Sequence, residues 1–67
     1  MSMAVVHEFE VKSSLGMVQA TWQRKGRMIE IRYGNRMKSE VASSEDAGNL
    51  FVARDVVTNW IREDMRA

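Results

Sequence analysis

The sequence predicts an α+β fold, a four-stranded antiparallel meander sheet packed against one C-terminal α-helix (ββββα). Three features carry that prediction. Four segments before residue 43 alternate apolar and polar residues with a period of two, short Gly-containing connections separate them, and from Ser43 the period becomes helical. Strands that follow one another through short connections pair as an antiparallel meander, whose apolar face must meet that of the helix to leave water.

The first strand is expected over residues 4–12, with Val5, His7, Phe9 and Val11 on one face and Glu8, Glu10 and Lys12 on the other. Residues 13–16 (Ser13, Ser14, Leu15, Gly16) break the alternation as a turn. It resumes over 17–24, where Val18, Ala20 and Trp22 oppose Gln19, Thr21 and Gln23. Lys25 and Gly26 then suit a tight hairpin into 27–33, where Ile29, Ile31 and Tyr33 oppose Met28, Glu30 and Arg32. Gly34 and Asn35, both tolerant of positive φ, lead into a weaker fourth strand over 36–42. There Met37 and Val41 are expected on the core side, opposite Arg36, Lys38 and Glu40.

At about 100° per residue, Ala47, Leu50, Ala53, Val57, Trp60, Ile61 and Met65 share one arc of a helix, with Asp55, Asn59, Arg62 and Glu63 opposite. Its start is open between Ser44 and Leu50. Ser43 or Ser44 would cap a helix whose first turn holds Glu45 and Asp46 against the positive dipole end, whereas Gly48 favours a later start with Asn49 as cap.

Composition bounds the function. With 67 residues, 45% hydrophobic and 28% charged, the chain is expected to form one compact domain over 1–67 and is too short for most enzyme scaffolds. It has no Cys, hence no disulfide framework and no thiolate metal site. No apolar run approaches the roughly 20 residues of a membrane crossing, and residues 1–4 lack a basic segment followed by an apolar one. A soluble, cytoplasmic protein without membrane contact is expected.

Catalytic groupings are sparse. His7 is the sole imidazole and lies between Val5 and Phe9 on the apolar face, where a hydrogen-bonded structural histidine is expected. Glu8 and Glu10 share a strand face, but both face solvent, which gives no means of separating their pKa values into acid and base. The carboxylates follow no calcium-loop spacing, and the four glycines are spaced as turn residues rather than as a phosphate cradle. The chain is therefore expected to be non-enzymatic, without cofactor or metal.

Charge is segregated along the chain although the net is only +1. Arg24, Lys25, Arg27, Arg32, Arg36 and Lys38 face Glu30 alone, while residues 39–67 hold six acidic side chains against Arg54, Arg62 and Arg66. Those six cations are candidate contacts for nucleic acid (single-stranded DNA or RNA) or another anion, alongside outward Met28, Met17, Gln19, Thr21 and Gln23. An exposed aromatic platform for bases is missing, since Trp22 and Tyr33 fall on the core face. The element order resembles that of the single-stranded-DNA-binding transcriptional coactivators of four strands and a helix. That likeness rests on element order, with no motif residue to match, and implies a homodimer with a nucleic-acid groove.

The leading expectation is a small protein–protein interaction module, a homodimer or else an inhibitor or adaptor of a larger protein. A chain this short, without cross-links, commonly gains stability from a partner subunit. Phe51, Val52 and Val56 lie outside the main helical arc and, with Trp60, are the candidate interface residues. Six methionines, with Met17 and Met28 outward, also suit an adaptable contact surface.

Overall fold

The computed structural model describes residues 5–66. Its elements are β1 (Val6–Ser13), β2 (Gly16–Lys25), β3 (Met28–Tyr33), β4 (Arg36–Val41) and α1 (Asp46–Arg66). The strands form one antiparallel sheet in the order β1-β2-β3-β4, and α1 packs across β1, β2 and β3. This is the predicted ββββα architecture.

Turn chemistry fixes the registers. The β2–β3 turn is Gly26–Arg27, one residue later than the sequence suggested, so Lys25 pairs with Met28. A two-residue hairpin needs positive φ at its first central position. With Lys25 there the backbone would be strained, whereas Gly26 adopts φ of 63° freely. Gly34 does the same at φ 60° ahead of Asn35 and pairs Tyr33 with Arg36.

That second turn overturns the expected facing of β4. Residues directly opposite in an antiparallel pair share a face, and here Arg36, Lys38 and Glu40 oppose Tyr33, Ile31 and Ile29. The charged residues therefore stand on the helix side, and Met37 and Val41 point outward, 57% and 73% exposed. The alternation of β4 is the predicted one, on the opposite face. Turn length settles the face, because a shift of one residue inverts a whole strand.

Between sheet and helix lies one apolar cluster: Phe9, Val11, Ala20, Trp22, Ile29 and Ile31 against Ala53, Val56, Val57 and Ile61. His7 is half-buried at its margin, its ring stacked on Trp22 at 4.2 Å between centroids, while Val5 is exposed rather than on the core. The helix is rotated from the expected arc, so that Val56 is buried and Ala47 and Met65 are exposed.

Asn49 accounts for the rotation. Its side chain is fully buried, its Oδ1 accepts from the Ser43 N–H at 2.6 Å, and its Nδ2 donates to the Ser43 carbonyl at 3.4 Å. Asn49, Ala53 and Val56 recur at i, i+4 and i+7, so drawing Asn49 inward carries the other two with it. The helix thus follows the earlier of the two starts considered, with Asn49 clamping the connection rather than capping. The Glu45 carbonyl accepts the first helical N–H groups, from Gly48 and Asn49.

Candidate protein interface

The six cations near the middle of the chain do not form one surface. Lys25 and Arg32 stand on the outer sheet face, where both bind Glu30, Lys25 Nζ at 3.1 Å and Arg32 Nη2 at 2.8 Å. Gln23 Nε2 also donates to Glu30, at 3.3 Å. Hydrogen bonds from Lys25, then Arg32, hold the Glu30 carboxyl below the ordinary glutamate range. Arg24 lies opposite Ile29 and donates to the carbonyls of Gly26 and Ser43. Arg36 bridges to Glu63 at 3.6 Å and to Asp64 near the end of α1, and Lys38 pairs with Glu40 at 3.1 Å. Arg27 sits in the β2–β3 turn, without an ion pair among the described residues.

The four candidate interface residues divide differently. Val52, Val56 and Trp60 come together on the flank of α1 facing β4, lining a cleft of about 270 Å³ whose other wall holds Lys38 and Glu40. Trp60 stacks on Tyr33 with centroids 6.5 Å apart, and Val56 is part of the core. Phe51 is not with them. It precedes Arg54 by three residues and Thr58 by seven, which puts it on the flank that meets β1, and it is 74% exposed.

β4 is the strand that α1 covers least, reached through the Arg36 bridges and the cleft alone. Its pattern along Arg36–Val41 contains no buried residue, and its outer face joins Val41 to the directly opposite Met28. Met37, Met28 and Val41 thereby make an apolar border along one edge of the outer face, while Val52 and Trp60 line the cleft on the helix side. Sequence reasoning missed Met37 and Val41 as contact residues because it placed them in the core. The signal that would have found them is the two-residue Gly34–Asn35 turn.

Glu8 and Glu10 are exposed on the outer face, and His7 faces Trp22. Among the described residues no three His, Cys, Asp or Glu side chains cluster as a metal site, and no helix is long and apolar enough to cross a membrane. Comparison of the chain with protein-family models, curated proteins and solved structures found no match.

Proposed function

We propose that this protein is a non-enzymatic protein-binding module whose contact surface is the β4 side of the molecule. The observation that carries the reading is the facing of β4, which holds Met37 and Val41 in solvent on the outer face of an edge strand. Exposed apolar side chains gathered beside an open strand edge are the features by which proteins add a partner. Val52 and Trp60 extend the surface around the strand to its helix side.

Nucleic-acid binding is the alternative. The placement of the cations weighs against it, since Lys25, Arg32, Arg36 and Lys38 are engaged by carboxylates and stand on two different faces. A chain that binds phosphates through several of them would shift an oligonucleotide at low salt and lose it steeply as salt rises.

Photo-crosslinking in cells tests the leading reading. A photoreactive amino acid at position 41 is expected to give a protein adduct, and the same group at position 10, on the outer face of the opposite edge strand, is expected to give none. Equal labelling from both positions, or none from position 41, would remove the β4 side as the contact surface.

A further inference from the structure

The backbone of β4 has a free edge whose chemistry is self-complementary. Ala42 donates its N–H to the Arg27 carbonyl at 2.8 Å, and bonding direction alternates along a strand, so Arg36, Lys38 and Glu40 turn their backbone groups toward β3. Those of Met37, Ser39 and Val41 run along the open side. A second β4 entering antiparallel about a two-fold axis keeps outer face beside outer face, and its register is named by the residue on the axis.

Charge selects among the registers. With residue 37 on the axis Arg36 opposes the other copy's Lys38; with 38 there, Lys38 opposes Lys38; with 40, Glu40 opposes Glu40. Like charges directly opposite are destabilising. With Ser39 on the axis no like charges meet: Lys38 and Glu40, already 3.1 Å apart along one strand, face Glu40 and Lys38 of the other on the helix side, and Met37 meets Val41 twice on the outer face, beside Ser39–Ser39 and Arg36–Ala42. The odd-numbered residues are then the hydrogen-bonded pairs, which agrees with the direction of their backbone groups.

We propose that the partner at β4 is a second copy of this chain, paired antiparallel about Ser39 to give a continuous eight-stranded sheet. The inference rests on the reading of the β4 side as the binding surface and names its occupant. The opposite edge is less closely matched: registers of β1 centred on residues 8, 9 or 10 each place glutamate opposite glutamate, and the one centred on Val11 sets Glu10 against Lys12 without an apolar pair on the outer face. α1 packs over β1, β2 and β3, and Phe51 lies on its β1 flank, the side turned away from the β4 edge, so Phe51 takes no part.

Sedimentation equilibrium on charge variants of the full chain tests this. An edge-to-edge contact belongs to the small end of interface sizes, so the measurement covers about 1 to 500 μM. The native chain is expected to dimerise. Lys38→Glu and Glu40→Lys, each alone, place like charges opposite at two points and are expected to weaken dimerisation about tenfold or more. An equimolar mixture of the two variants is expected to restore the dimer. Positions 38 and 40 of the first variant are then both acidic, those of the second both basic, and each cross-strand pair unites opposite charges. Phe51→Asp is expected to dimerise like the native chain.

A native chain that stays monomeric throughout overturns self-pairing. If position 41 still crosslinks to a different protein, the binding-module reading survives that result. A dimer indifferent to both charge variants, or one that Phe51→Asp dissociates, overturns the β4 register and moves the interface elsewhere. Failure of the mixture to dimerise, with both variants folded by circular dichroism, does so too.

Discussion

Gly48 shows how single atoms decide local structure in this chain. A Cβ at that position would lie 2.6 Å from Ser43 Oγ and 2.9 Å from Ser43 Cβ, inside van der Waals contact. Alanine is intrinsically the better helix former by about 1 kcal/mol, and an exposed helix position would gain from the change. Here the clash falls on a connection that Asn49 already holds rigid through both main-chain groups of Ser43. Gly48→Ala is therefore expected to lower stability by about 1 to 2 kcal/mol in chemical denaturation. Adding Ser43→Gly, which removes both clashing atoms, is expected to recover most of that loss. A Gly48→Ala protein more stable than the native chain would show that the connection is not held as described.

At the scale of elements, the outer sheet face is organised around Glu30. Its side chain is 12% exposed and receives Lys25, Arg32 and Gln23, bonds that favour the ionised form and depress the pKa. A carboxyl depressed on folding contributes stability above its unfolded value of about 4.3, and that contribution is lost as pH falls through the lower folded value. Stability of the native chain is expected to decline more steeply than that of Glu30→Gln between about pH 5 and pH 3, and to run parallel to it above about pH 6. Equal slopes in urea titrations across that range would mean that solvent screens the cluster completely.

The elements also show what is legible in the sequence. Period-two alternation locates every strand, and it puts Phe9, Val11, Ala20, Trp22, Ile29 and Ile31 on the face they occupy. It fails for β4 because hydropathy alone assigns Met37 and Val41 to the core, whereas the face of a hairpin's second strand is inherited from the first through the turn. The helix departs by a rotation, since a buried asparagine that binds main-chain groups is invisible to an apolar arc. The candidate site inherits the same two errors. Val52, Val56 and Trp60 do come together, Phe51 lies across the helix from them, and the exposed residues of β4 escape a reading based on hydropathy.

For the whole molecule, the apolar side chains that the Gly34–Asn35 turn holds outward on β4 are, on the proposal above, met by a second β4. Charge on the helix side and apolar contact on the outer side then favour the same register. The most direct measurement is an isotope-filtered nuclear Overhauser experiment on a mixture of labelled and unlabelled chains, at a concentration where sedimentation finds a dimer. The expected result is a contact between the Met37 methyl of one chain and the Val41 methyls of the other. Intermolecular contacts that arise from Phe51 and omit Met37 and Val41 would contradict the claim.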